Sequence, residues 1–312
     1  MKQLIFKIIP ILLSIACGFV FLYSAYTKLF PIEPLEYALV DTGAVNWQTS
    51  TWMARLFIGF EFACAILLIF NLQLKKLTLP MTIGSLVLFS LYLVNMWREY
   101  GNTGNCGCFG SAITMTPLEG LLKNAVLLLA ALLLYRFHRP FSFKYEKGVI
   151  AAIAIVALIF PFILNPIAFE LPKEAMTQQT QQAINLDILY EDAVNQAPQQ
   201  ELRQGKHLVA FLSLTCKHCK IAAKKLRVMK ELNPDLPIHF VLNGDTTALA
   251  PFFEATRATN ISWSLFIGAE KFLRMTPPNL PQIFLVKDCI IEKKCNYMTV
   301  EQAEIEAWLA DK

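Results

Sequence analysis

"HLVAFLSLTCKHCKIAAKKLRVMKEL", residues 207–232, decides the fold of the C-terminal part of this chain. Residues 207–215 form an apolar run of strand length. From Cys216 onward, Ile221, Leu226, Met229 and Leu232 fall near helical spacing. Cys216 and Cys219 therefore sit where a strand gives way to a helix. A helix amino terminus carries partial positive charge and stabilises a thiolate. The thiolate is the nucleophile of disulfide exchange. With two intervening residues, the second cysteine reaches the first and releases a mixed disulfide. C-x-x-C is also half a zinc site. Cys289 and Cys295 do not form a second C-x-x-C, and no H-x₃₋₅-H partner exists, so redox chemistry is expected and a metal is not.

The pattern continues on both sides. Residues 236–244 read as a second strand and 247–258 as a second helix. "PQIFLVKDCIIEKKC" (281–295) reads as two strands joined near Asp288 and Cys289. "TVEQAEIEAWLADK" (299–312) reads as a closing amphipathic helix with Thr299 as its N-cap. Upstream, "ELPKEAMTQQTQQA" (170–183) is polar and glutamine-rich, and reads as linker. Six residues of extended chain between Cys289 and Cys295 span about 20 Å, far beyond disulfide reach.

Strand, C-x-x-C at a helix start, strand and helix, then proline before a hairpin: this resembles the thioredoxin fold, in its membrane-tethered TlpA/ResA-like branch. "FLSLTCKHCKIAAKKL" and "NLPQIFLVKD" carry the resemblance, which covers residues 185–312. It implies that Cys216 attacks, that Cys219 resolves, that Pro281 is a cis-proline beside them and that the backbone of Leu280 pairs with substrate. Two departures stand out. The family's buried acid, six residues before the first cysteine, is replaced by Ala210, and its tryptophan by Thr215. Lys217 and His218, between the cysteines, add potential positive charge. That favours the Cys216 thiolate, the reduced form, and a couple more oxidising than thioredoxin's.

The rest of the chain is of another kind. Of 312 residues, 55% are hydrophobic and 17% charged, too apolar for an ordinary soluble protein. The net charge of +4 and the lack of a basic stripe argue against nucleic acid as a partner. Five apolar runs are long enough to span a bilayer: Ile8–Tyr26, Met53–Phe70, Leu79–Trp97, Leu118–Tyr135 and Val149–Phe169. The fold class expected is multi-domain. A four-span all-α membrane domain (1–148) precedes a fifth span (149–169), a linker (170–184) and an α/β thioredoxin-like domain (185–312).

Lysine and arginine set the orientation. Lys2 and Lys7, then Lys75 and Lys76, then Arg136, Arg139, Lys144 and Lys147 alternate onto one face, which should be cytoplasmic. The amino terminus is then inside and the C-terminal domain outside, in the periplasm if the membrane is a bacterial inner membrane. Disulfides persist in that compartment. The loop between spans three and four, "GNTGNCGCFG" (101–110), faces the same side. Cys106 and Cys108 in it have three open readings: a small strained disulfide, a Cu(I) site, or pairing with other cysteines. Reversible redox is favoured because a second dithiol shares the compartment.

"FLYSAYTKLF", "RLFIGFEFACAILLI" and "CGCFG" resemble the DoxX-like and methylamine-utilisation (MauE-type) membrane proteins over residues 8–136. The resemblance implies a four-helix module associated with disulfide chemistry. Glu61, near the middle of span two, is a candidate proton or quinone site; the plainer alternative is a structural pair with Arg55 or Lys28. Glu119 and Lys123 read as an i,i+4 pair, and Cys17 and Cys64 as packing residues.

The leading expectation is a membrane-bound thiol–disulfide oxidoreductase. It would exchange with extracytoplasmic thiol or disulfide proteins, relay electrons to Cys106–Cys108 and pass them on to a membrane quinone. No cofactor is expected in the thioredoxin-like domain. The alternative is a non-enzymatic maturation scaffold or metal-handling module served by a dedicated thioredoxin-like reductant.

Overall fold

A computed structural model describes residues 2–43, 45–103, 105–110, 112–137, 145–167, 178–195, 197–198, 200–276 and 279–311. The chain divides into two compact units, Met1–Ile167 and Ala168–Lys312.

The first unit is helical. α1 (Lys2–Leu29), α3 (Trp47–Ile69), α4 (Leu79–Tyr100), α5 (Pro117–Phe137) and α6 (Glu146–Leu164) are the long helices; α2 (Glu33–Asp41) is a short one between the first two. All five long helices are apolar enough to cross a membrane. The fifth stops at Leu164, short of the Phe169 read from hydropathy. Asn165 caps it, and its carbonyl accepts from Arg55 Nε at 2.7 Å. Arg55 also donates to Glu36 at 2.6 Å, so the short helix α2, missed by hydropathy, supplies the counter-charge that a buried arginine needs. Close helix approach depends on small residues. A Cβ on Gly59 would lie 2.8 Å from the Ala157 carbonyl oxygen, so the fifth span docks on α3 through a glycine.

The second unit is a six-stranded sheet in the order β1-β6-β5-β2-β3-β4. Its strands are β1 (Gln178–Ala183), β2 (Lys206–Ser213), β3 (Ile238–Asn243), β4 (Ser262–Phe266), β5 (Gln282–Lys287) and β6 (Ile290–Cys295). Strands β2, β3 and β4 run parallel, and the β5–β6 hairpin returns antiparallel against β2. Its helices are α7 (Ile188–Glu191), α8 (Lys217–Leu232), α9 (Leu249–Thr256), α10 (Glu270–Leu273) and α11 (Gln302–Ala310). A parallel βαβ unit with C-x-x-C at its helix start, followed by an antiparallel hairpin and closing helix, makes this a thioredoxin-type fold. Leu208 to Leu212 of β2 are all fully buried, as expected of a central strand covered on both faces. Phe211 packs against Phe284 and Phe272, with ring centroids 5.2 and 5.8 Å apart, and anchors the core.

Three expectations are corrected. Residues 178–183, read as linker, form β1 along the outer edge of β6. An edge strand needs only one partner and no buried face, so a polar glutamine run suffices; residues 170–177 lie outside the described residues. β4 went unread because "SWSLF" is short and alternates weakly. The closing helix begins at Gln302 with Glu301 as N-cap. Thr299 instead closes a turn with Asn296, whose side chain accepts from the Thr299 backbone at 3.1 Å. The hairpin turn does fall at Asp288 and Cys289, both at positive φ, and places Cys295 at the other end of β6.

Candidate functional site: two cysteine pairs

Cys216 is the N-cap of α8. Its backbone is extended (φ −73, ψ 126), and its sulfur accepts from the Cys219 backbone N–H at 3.4 Å. This is a capping geometry in which the acceptor is a sulfur, so the helix amino terminus acts directly on it. The two thiols differ in access. Cys216 is partly exposed, and Cys219 is wholly buried. Burial drives the Cys219 thiol well above the ordinary range, offset in part by a hydrogen bond with the Ser213 backbone. Ala210 is fully buried, and no carboxylate takes the place of the family's acid at that position.

Leu280–Pro281 is a cis peptide, as the resemblance implied. The register pairs Gln282 with Phe211, so Pro281 enters β5 at the end of β2 that leads into Cys216. Leu280 is half-buried against the main core. Lys217 and His218 are both exposed. His218 stacks on Tyr297 at 5.6 Å and 20°. Lys225, buried on the same helix, donates to the Tyr297 carbonyl at 2.9 Å. That contact ties the chain after β6 to α8, and sequence reasoning missed it.

The second pair lies in the connection between α4 and α5. Cys106 N–H donates to the Met115 carbonyl at 2.7 Å. The Asn105 side chain holds the turn together: it donates to the Gly110 carbonyl at 2.9 Å and accepts from Gly107 N–H at 3.1 Å. Gly107 (φ +74) and Gly110 (φ +56) adopt conformations that favour glycine. A Cβ on Gly110 would lie 2.4 Å from the Thr27 carbonyl oxygen, so the loop lies directly on the end of α1. Both sulfurs converge on Gly120, one turn into α5, where a Cβ would meet Cys106 Sγ at 3.1 Å and Cys108 Sγ at 3.2 Å. Both cysteines are buried, at 6% and 2% exposure. The hydrogen bond between the two thiols separates them: it lowers Cys108 and raises Cys106.

Beneath this loop lies a buried polar network. Lys28 Nζ donates to both Glu61 carboxylate oxygens, at 2.6 and 2.9 Å, and to Ser24 Oγ at 2.8 Å. Ser24 Oγ donates to the Cys108 carbonyl at 2.9 Å. Of the two partners considered for Glu61, Lys28 is the one present, while Arg55 pairs with Glu36. Glu61, Lys28, Cys108 and Lys123 line one cavity of about 20 Å³, room for about one water.

The Glu119–Lys123 pairing is also corrected. Glu119 accepts from Thr116 N–H at 2.8 Å and caps its own helix. Lys123 points the other way, its ammonium 5.0 Å from the centre of the Phe109 ring. The i,i+4 spacing hid this, because it supplied a partner without need of the loop.

The comparisons with known proteins fit this division. Residues 6–137 match the family of the methylamine utilisation protein MauE. This supports the MauE side of the resemblance, and with the five apolar helices it marks a membrane protein. "Protein TlpB" of Flavobacterium psychrophilum is 26% identical over 296 residues, covering 80% of this chain and 81% of that one. A secreted Mycobacterium tuberculosis disulfide oxidoreductase, homologous to E. coli DsbE, overlaps 35% of this chain and 82% of its own at 16% identity, with a TM-score of 0.29. The sheet order, not that overlap, carries the fold assignment.

Proposed function

We propose that the chain is a membrane-bound thiol–disulfide oxidoreductase working through Cys216 and Cys219. One observation carries the reading: the pair is divided into an accessible sulfur at a helix amino terminus and a fully buried partner three residues on. The chemistry follows from that division. The Cys216 thiolate attacks a protein disulfide, forming a mixed disulfide, and one substrate sulfur leaves and is protonated. Cys219 then loses its proton and attacks Cys216, closing the Cys216–Cys219 disulfide and releasing the second substrate thiol. Two electrons reach the substrate; the reverse sequence oxidises a substrate dithiol. In this reading the Leu280 backbone, beside cis-Pro281, holds the substrate chain. Lys217 and His218, exposed beside Cys216, meet the substrate as well.

The same reading makes Cys106–Cys108 the redox partner of that pair, with both facing the extracytoplasmic side of a bacterial inner membrane. The lysine and arginine pattern of the connecting segments supports this orientation. Both loop sulfurs are covered, so exchange requires the glycine-rich loop to lift from α5. The second reading is a metal-handling role, with Cys106 and Cys108 as a thiolate pair for a soft cation such as Cu(I).

The test is exchange with a model protein disulfide by the full-length protein in detergent. Cys216→Ser should abolish exchange, and Cys219→Ser should accumulate a mixed disulfide with the substrate. Equal exchange by wild type and Cys216→Ser would remove the reading.

A further inference from the structure

Cys108, and not Cys106, lines the cavity beneath the loop, and the charges around that cavity bear on which thiol ionises. The cavity under the loop is lined by residues of four helices and the loop. α1 contributes Lys28, α3 contributes Glu61, α5 contributes Lys123 and Asn124, and the loop contributes Cys108. α4 contributes Ser85, Leu86 and Phe89, none of them charged. Lys28 and Glu61 neutralise each other at 2.6 Å. Lys123 then remains as the cation in excess among the described residues lining the cavity. It is half-buried, and Phe109 covers its ammonium. A half-buried cation in apolar surroundings favours a nearby anion. Cys108 is the remaining acidic group on that wall.

We propose that Cys108 is the charge-bearing sulfur of the loop pair and that Lys123 is the positioning residue that holds it as a thiolate, with Cys106 kept as the thiol. The inference rests on reading Cys106–Cys108 as a reversible dithiol. It assigns the order of attack within that dithiol. The Cys108 thiolate attacks the disulfide of the soluble pair or of another protein. One sulfur of that disulfide leaves and takes a proton. Cys106 then loses its proton and attacks Cys108, closing the loop disulfide and releasing the second thiol. In the opposite direction an incoming thiolate attacks Cys108 and expels Cys106, Cys108 is the sulfur that leaves in the second step, and Lys123 stabilises the charge that develops on it. The direction of the Cys108 thiol, down, is caused first by its hydrogen bond with Cys106 and then, against the opposing effect of burial, by Lys123 and Lys28; Lys123 draws on Cys106 too, but the interaction with Cys108 and burial hold that thiol up.

Labelling of the reduced full-length protein with iodoacetamide across pH, read by peptide mass spectrometry, tests the assignment. Cys108 should be alkylated before Cys106, with a pH midpoint at least about one unit below an ordinary thiol. Lys123→Met should slow Cys108 labelling at neutral pH about tenfold and move its midpoint up. Lys123→Arg should restore most of the loss, which a purely structural role would not require. Labelling of Cys216 serves as the folding control. Prior labelling of Cys106, or an unmoved Cys108 midpoint in Lys123→Met, would overturn the proposal. The wild-type order needs no variant and decides the assignment even if Lys123→Met fails to accumulate.

Trapping separates this inference from the reading beneath it. With glutathione disulfide supplied as the two-electron oxidant, adding Cys106→Ser to Cys219→Ser should preserve a crosslink to Cys216, and adding Cys108→Ser should abolish it. A crosslink through Cys106 instead refutes the assignment. No crosslink in either background, with the labelling order intact, removes the relay and leaves the labelling result standing.

Discussion

Single residues carry the sharpest electrostatic consequences. His239 is fully buried on β3, its ring nitrogens 2.9 Å from Ser262 Oγ and 3.0 Å from Ser264 Oγ. Burial, with the charge of His207 added, holds its pKa at about 3. An unfolded chain binds that proton near pH 6.5, so the folded state loses stability as pH falls below that value. The loss is complete only near pH 3 and amounts to at most about 5 kcal/mol. Thermal melts of the C-terminal unit should therefore steepen in pH dependence below about pH 6.5, and His239→Gln should flatten them. In the membrane unit, Lys28→Ala or Glu61→Gln leaves an uncompensated buried charge or dipole, costing about 3–5 kcal/mol, while the double change should cost less than the sum. Melting in detergent measures that cycle; simple additivity would show that the pair is not coupled. At this scale the sequence was partly legible. Cys216 and Cys219 could be read from their spacing at a helix start, and Pro281 from the resemblance to the thioredoxin fold. Lys123 and Ser24 could not, because their roles arise from contacts between segments distant in sequence.

Elements explain why the sites keep their shape. α8 begins at Cys216 because the sulfur itself satisfies a free helix N–H. The exposed dipeptide Lys217–His218 and the helix terminus together predict a reduction potential above thioredoxin's, about −270 mV. A measured value at or below that figure would contradict this. α5 presents Gly120 to both loop sulfurs, and α3 presents Gly59 to the fifth span. Gly120→Val should displace the loop and speed alkylation of Cys106 and Cys108 without affecting Cys216. Gly59→Val should lower the melting temperature, with a cost of about 1–3 kcal/mol. Periodicity found the spans and the central strands because these are long and apolar. It missed α2, β1 and β4 for the opposite reason: each is short, and each is held by a partner rather than by its own pattern.

At the scale of the whole molecule, a MauE-like helical unit and a thioredoxin-type unit each carry a cysteine pair, and the account links the two pairs through electron exchange. The division into two units was legible from composition alone: the sequence turns polar after Phe169, and the units divide at Ile167. The link between them was not, because no local pattern records which thiol meets which. The most direct measurement is the redox state of Cys106 and Cys108 in intact cells, read by differential alkylation. Wild type is compared with a chain carrying Cys216→Ser and Cys219→Ser. Loss of the soluble pair should lock the loop pair into a single redox state, oxidised or reduced, while wild type shows both. An unchanged mixture in the double variant, at equal protein level, would contradict it.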